Sequence, residues 1–446
     1  MLLESWMLAI YTLSLIELKR LSERLALRKT SKQLKINNQK AIGLAHRLVS
    51  ETLRKKNYID FLINSVLAPQ SIKDYKIGTR SFLRLYTHEA KVVKGDFELA
   101  SKIARMGRKI LGWRALNDVE SILGEILSIN SEKLIIQLDE IEKISLQTYH
   151  PKWFVKYCFR LFGRGEALNF LEQSARITPL YLRINTLKAS ENIILDRLKE
   201  ENIVLEKVKP LKYTYKINGS ERTCIRSQSF KDGLFYIQDK ASCLAAEIAD
   251  PQKGITVIDV CAAPGSKTTY LAQLMKNRGT IFSFDYSKRR IQVLKRVTQR
   301  MGTKIVEPII ADAMKNLPIK LSADLVILDP PCTSTGTFGK TPEAKWRLTK
   351  RSIRGMAKIQ SEMIEECAKY VKNGGFLIYS TCSITLEENE MVIENFLRLN
   401  PEFSLTQTKP RIGLPGLRGL TKCQRLYPHI HQCNGFFIAK LKKEDL

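Results

Sequence analysis

The sequence predicts an α/β protein in which a doubly wound, mostly parallel sheet follows a small α+β segment and an all-α segment. Three observations predict it. Strand-like apolar runs alternate with helical stretches after Pro251, a β-rich mixed texture fills 149–250, and up to about residue 148 apolar residues recur at three and four positions with few glycines. At 446 residues the chain is long enough for roughly two or three domains, which we place at 1–148, 149–250 and 251–446.

The first segment opens with MLLESWMLAIYTLSLIELKR. Its apolar run is shorter than the roughly 20 residues of a membrane span, and Glu4 stands where a signal peptide is basic, so an amphipathic helix is expected. Further on, Ile42, Ala45, Leu48, Val49 and Leu53 mark one apolar helical face. Pro151 marks the end of this texture, and 181–185 and 234–238 read as strands of the second segment. In the third, strands are expected at 255–260, 280–285, 304–310, 324–328 and 376–381. Ligands of such sheets bind at the carboxyl ends of the strands.

Composition narrows the class. With 44% hydrophobic and 26% charged residues, the chain has the apolar material for a core, which excludes wholesale disorder. The net charge of +28 divides as +9, +5 and +14 over 1–150, 151–250 and 251–446, so a basic field covers the whole length and favours a polyanion, RNA or DNA before a membrane. Nine cysteines without a C-x-x-C pair suit free thiols in a reducing cytoplasm. No feature points to self-association or to an obligate protein partner.

Cofactor chemistry is read from strand ends. The strand ITVIDV runs into Cys261, Ala262, Ala263, Pro264, Gly265, Ser266 and Lys267 and then into a helix, so small residues let backbone approach a ligand at a helix N-terminus. Asp285 ends the next strand, where a carboxylate can accept from both ribose hydroxyls, and Asp312 follows the third, where it can accept from an adenine amino group. Together they describe a nucleoside pocket, although each acid alone reads equally as a helix cap or a solvated loop residue. The absence of G-x-G-x-x-G between them, and of any G-x-x-x-x-G-K-[ST], disfavours nicotinamide cofactors and nucleoside triphosphates.

Two later strands end in Asp329-Pro-Pro-Cys332 and Thr381-Cys382. A buried cysteine is usually inert, but two at adjacent strand ends beside a nucleoside pocket suit covalent catalysis. Cytosine C5 is a poor nucleophile until a thiolate adds to C6, and that thiolate needs a pKa below the free value of roughly 8.5. Lys267 or a helix N-terminus can supply the positive potential. Enzymes that methylate cytosine C5 in DNA take their nucleophile from a Pro-Cys at the place of Cys332, whereas amino methyltransferases follow Asp-Pro-Pro with an aromatic residue. On the residues alone, Cys332 and Cys382 are rivals for the attack.

The stretches PLYLRINTLK, DGLFYIQDKAS, DVCAAPGSKT, DPPCTSTG, KWRLTKRSI, YSTCSITLEENE and NGFFIAKL resemble the Sun/Fmu family of RNA cytosine-C5 methyltransferases over most of the chain. The resemblance implies a Rossmann-like S-adenosylmethionine-dependent methyltransferase domain behind the α+β segment. It implies that residues 261–267, Asp285, Asp312 and Asp329 bind S-adenosyl-L-methionine, that Cys382 attacks C6 and that Cys332 assists release. Arg290 matches a basic position on the cofactor side. Ser266 stands where the family usually has a second glycine, so a strained turn or an added hydroxyl contact is expected there. Residues 28–67 are similar to a NusB-like helical domain, which implies RNA binding by the first segment. Ribosomal RNA is the expected substrate, with transfer RNA, or a non-catalytic RNA-binding role, as alternatives.

Two further clusters stand out. Cys423, His429, His431 and Cys433 carry zinc-type ligands, but C-x5-H-x-H-x-C matches no usual structural site, and no metal is expected. Between Phe338 and Gln360 lie seven basic residues and one acid, with Trp346 among them, which reads as an RNA-contacting segment.

Overall fold

The computed structural model describes residues 1–93 and 95–445. They form two compact units, Met1–Ile177 with Phe338–Arg347, and Thr178–Thr337 with Leu348–Leu446.

The first unit is helical. Helix Leu2–Lys19 packs against Glu23–Gln33, Gln39–Arg54 and Ile77–Tyr86. The amphipathic expectation for it is corrected: Trp6, Leu8, Ala9, Ile10, Thr12, Leu13 and Ile16 are all buried, so most of its circumference faces protein. Its exposed residues include Leu3, Tyr11 and Leu18, themselves apolar, while Ser5, Thr12 and Ser14 are buried, so polarity does not mark its outer face. Gln39–Arg54 buries Ala45, Leu48, Val49 and Leu53 as its spacing predicts, and Asn38 caps it by accepting from the N–H groups of Lys40 and Ala41. Short helices continue after Pro151. That proline occupies the N-cap of Lys152–Phe162, a place where a missing N–H costs nothing, and Arg164–Ser174 follows. The contacts group both helices with the first unit.

The second unit holds two sheets. Strands β1 (Leu180–Ile184), β2 (Val204–Lys207), β3 (Thr214–Asn218) and β4 (Phe235–Ile237) form an antiparallel sheet in the order β2-β3-β1-β4. The larger sheet contains β5 (Thr256–Val260), β6 (Thr280–Asp285), β7 (Val306–Ile310), β8 (Ala323–Leu328) and β9 (Val371–Thr381), which pair in parallel. Strands β10 (Phe403–Leu405), β11 (Leu414–Pro415), β12 (Gln424–Leu426) and β13 (Phe436–Lys443) extend it antiparallel beyond β9.

In the order β11-β12-β13-β9-β8-β5-β6-β7, chain progression reverses between β5 and β8. That reversal is the switch point at which such sheets open a crevice. Val257, Ile258, Val260, Leu325, Val326 and Leu328 are buried, as continuous apolar strands covered on both faces must be. Among the described residues no helix is long and apolar enough to cross a membrane.

Candidate active site

After β5 the backbone turns through Cys261 at φ +63° and Gly265 at φ +106°, and the helix Ser266–Leu274 begins at once. Gly265 needs its freedom because an L side chain rarely adopts that φ. Ser266 opens the helix with no positive φ, so the expected strain is not seen there, and the positive φ of the turn falls on Gly265, which adopts it freely. Arg290, from the helix Lys288–Met301, donates to the Ala263 carbonyl and holds the turn from outside. Beneath it lies Asp259, fully buried and bonded by the Thr268 hydroxyl at 2.6 Å, and burial pushes its carboxyl up to about 7.

A cavity of about 640 Å³ opens at the ends of β5, β6, β8 and β9, within the usual range for a small-molecule site. Cys261, Ala263, Pro264, Asp285, Asp312, Asp329, Cys332 and Cys382 line it. Ala262, Gly265, Ser266 and Lys267 do not. Ala262 packs against Ile291 and Leu294, and Lys267 is buried in an ion pair with Asp329. Asp285 is 3% exposed; its Oδ1 accepts from Ser287 N at 3.1 Å, while Oδ2 has no hydrogen-bond donor and sees Arg290 only as an ion pair at 3.3 Å. Asp312 is exposed and accepts from Met314 N at 3.0 Å.

The Cys332 and Cys382 sulfurs lie 3.1 Å apart in the wall of this cavity. Ser334 Oγ is 3.5 Å from Cys382 and 4.0 Å from Cys332. The sulfur–sulfur hydrogen bond, the Ser334 hydroxyl and the Lys267 ammonium hold the Cys382 thiol below its ordinary value against burial and Asp329. The same bond, burial and the Glu388 carboxylate push Cys332 well above it. The shared sulfur–sulfur hydrogen bond is the largest cause of both shifts, and the Lys267 cation on Cys382 and the Glu388 anion on Cys332 act in the same sense. The loop between them is pinned by backbone: Gly336 N donates to Cys382 O at 3.0 Å, and a Cβ on Gly336 would meet Gly435 O at 2.1 Å. Cys261, by contrast, is pushed up to about 12 by burial and by Asp329 and Asp285.

The cavity also recruits Tyr286, Met314, Ile359 and Met363, which sequence reasoning missed. Tyr286 merely follows Asp285. Ile359 and Met363 share a face of the helix Lys350–Ala368, but periodicity does not say what that face meets. The basic aromatic segment divides. Lys345 is fully buried and donates to the carbonyls of Arg54 and Tyr149, each at 2.9 Å, and the Trp346 indole donates to Leu53 O at 2.6 Å. Both side chains pack the first unit, Lys345 wholly and Trp346 partly buried, whereas Lys350, Arg351, Arg354 and Lys358 are exposed. Cys423 and Cys433 are buried, and His431 Nδ1 accepts from Tyr427 N at 2.9 Å. Among the described residues no three His, Cys, Asp or Glu side chains converge as a metal site.

A crevice of this kind, at the switch point of this sheet, defines a ligand-binding protein of the doubly wound α/β class. Comparison with known proteins sharpens the class. Residues 246–442 match the family model described as 16S rRNA methyltransferase RsmB/F, and 150–219 match the ferredoxin-like domain of RsmF/B-like methyltransferases. A Bacillus subtilis protein described as probable ribosomal RNA small subunit methyltransferase B is 29% identical over 98% of both chains. A Synechocystis protein of the same description is 33% identical over 68% of this chain and 69% of its own. The tRNA (cytosine(72)-C(5))-methyltransferase of Pyrococcus horikoshii is 38% identical over 48% of this chain and 54% of its own.

Among solved structures, one titled PH0851 has a TM-score of 0.85 at 31% identity and covers 99% of both chains. NSun6 from Pyrococcus horikoshii with SFG has 0.61 at 27% identity, covering 66% of this chain and 99% of that one. The chain belongs to the RsmB/F family and is an RNA cytosine-C5 methyltransferase.

Proposed function

We propose that this enzyme methylates C5 of a cytosine in ribosomal RNA through a covalent Cys382–C6 adduct, with S-adenosyl-L-methionine held in the cavity at the ends of β5 to β9. The observation that carries the proposal is the sulfur pair at 3.1 Å in the wall of a cavity that also presents a buried carboxylate oxygen lacking a donor. That oxygen, Asp285 Oδ2, fits a ribose hydroxyl. Asp312 would accept from the adenine amino group, Cys261, Ala263 and Pro264 would meet the amino-acid end near the positive end of the helix Ser266–Leu274, and Asp329 would close the site. NSun6, with SFG, an S-adenosylmethionine analogue, supports the same cofactor. When bound, the cofactor supplies an electrophilic sulfonium methyl group.

The protein's own residues do the rest. As a thiolate, Cys382 adds to C6 of an extruded cytosine and makes C5 a carbon nucleophile for that methyl group. Once its sulfur is committed to the S–C6 bond, Cys382 no longer draws on the Cys332 proton, so Cys332 can ionise to water. Cys332 then takes the C5 proton, the C–H electron pair re-forms the C5–C6 double bond, and Cys382 leaves as thiolate. The helical first unit serves as a NusB-like RNA-docking part, drawn to phosphate by charge. An RNA substrate and free thiols support a cytoplasmic location.

Ribosomal RNA is favoured because the relative matched over 98% of both chains carries that description. The test is radiolabelled methyl transfer to small-subunit rRNA and to total tRNA, followed by bisulfite sequencing of the product. A single protected cytosine in rRNA is expected. Transfer confined to tRNA would overturn the substrate, and transfer to neither would overturn the activity.

A further inference from the structure

Glu388 lies in the run Leu386-Glu387-Glu388-Asn389-Glu390, yet it is 0% exposed and sits between the two cysteine loops. Its Oε1 accepts from Thr333 N at 2.8 Å and from Gln360 Nε2 at 3.0 Å. Its Oε2 accepts from Ser383 Oγ at 2.6 Å, from Thr385 Oγ1 at 2.8 Å and from Thr333 Oγ1. Thr333 directly follows Cys332, and Ser383 directly follows Cys382. Gln360 also donates to Pro331 O at 2.9 Å, on the other flank of Cys332. A buried carboxylate is costly unless its lone pairs are filled, and here five donors fill them. An amide or hydroxyl could have joined two loops at less cost. What a carboxylate adds is a negative charge bonded to the residue after each cysteine, twice to Thr333 beside Cys332 and once to Ser383 beside Cys382.

We propose that Glu388 is the positioning residue of the thiol pair: it clamps the Cys332 and Cys382 loops together, and its charge decides which sulfur carries the proton. With an anion on the Cys332 side, the proton of the pair stays on Cys332 and the negative charge goes to Cys382. This is the distribution that the Cys382 attack needs, so the inference rests on the proposed covalent reading. The direction of both thiol shifts agrees with it, Glu388 being one of the groups that raise Cys332.

Glu388→Gln separates charge from clamp. Its amide oxygen can keep Thr333 N and Gln360 Nε2, while its nitrogen donates to two of the three hydroxyls of Thr333, Ser383 and Thr385, each able to accept. Thr333→Val removes one arm of the clamp and leaves the charge. Two measurements follow: alkylation of each cysteine by iodoacetamide, resolved by peptide mass spectrometry, and the pH profile of kcat with KM for S-adenosylmethionine. Wild type should alkylate at Cys382 first.

In Glu388→Gln the label should divide between Cys332 and Cys382, the acid limb should move to lower pH, and kcat should fall about 10- to 100-fold with KM nearly unchanged. Thr333→Val should lower kcat without moving the limb or the labelling ratio. Labelling that stays on Cys382 in a folded Glu388→Gln protein, with an unmoved limb, overturns the proposal. Failure of the underlying reading looks different, since Cys382→Ala would then keep turnover whatever Glu388 does.

Discussion

Asp285→Asn tests the nucleoside pocket with little else disturbed. The asparagine oxygen can keep the 3.1 Å bond from Ser287 N, while its amide nitrogen replaces Oδ2, the buried oxygen that has no donor in the free protein. An acceptor for ribose hydroxyls thereby becomes a donor. Hydrogen bonds to charged groups contribute about 1.5 to 3 kcal/mol, so binding of S-adenosylhomocysteine should weaken about 10- to 150-fold. The loss should fall toward the lower end, because the variant also removes the cost of burying a carboxylate whose ion-pair partner, Arg290 at 3.3 Å, is half-exposed. Isothermal titration of wild type and variant reads the ratio directly. A change below about twofold, in a protein of unchanged melting temperature, would mean that Asp285 does not meet the ligand.

Other outcomes follow from the same geometry. Because the Cys382 thiol is held below its ordinary value, kcat/KM should rise with pH through a midpoint below the free-thiol value of about 8.5; a midpoint above it would place the negative charge elsewhere. Gly336→Ala puts a Cβ 2.1 Å from Gly435 O, a backbone atom with no room to give, so the melting temperature should fall and methyl transfer should fall with it. Wild-type melting temperature and rate in that variant would show that the loop is slack. Burial, with Glu343 nearby, pushes Glu23 from 4.5 up to about 8. Its folded value lies above its unfolded one, so its contribution is intact below about pH 4.5 and is lost as pH rises toward 8. Glu23→Gln should therefore raise the melting temperature at pH 8, by an effect on the order of 3 kcal/mol, and change little near pH 4.5; an equal shift at both would contradict the burial account.

The parallel strands were legible because each is an apolar run that ends in a chemically distinctive residue: Cys261, Asp285, Asp329 and Cys382 all sit at such ends. The packing of the first helix was not, since its exposed residues are as apolar as its buried ones. Residues 338–360 read as an RNA-contacting segment, but Lys345 and Trp346 find their partners at residues 53, 54 and 149, and nothing local signals so distant a contact. Glu388 was hidden for a different reason. Three acids in five residues read as a solvated surface run, whereas Glu388, Asn389 and Glu390 are all 0% exposed, with Glu390 paired to buried Arg425. Burial of charge is paid for by partners far along the chain, and sequence spacing does not reveal them.

The covalent step is tested most directly by incubating substrate RNA and S-adenosylmethionine with Cys382→Ala and with Cys332→Ala, then resolving RNA-linked protein on a denaturing gel. Cys332→Ala should accumulate a stable protein–RNA species with little free product, and Cys382→Ala should give neither adduct nor methylated RNA. Methylation that survives in Cys382→Ala while Cys332→Ala abolishes it would assign the attack to the other sulfur and contradict the account.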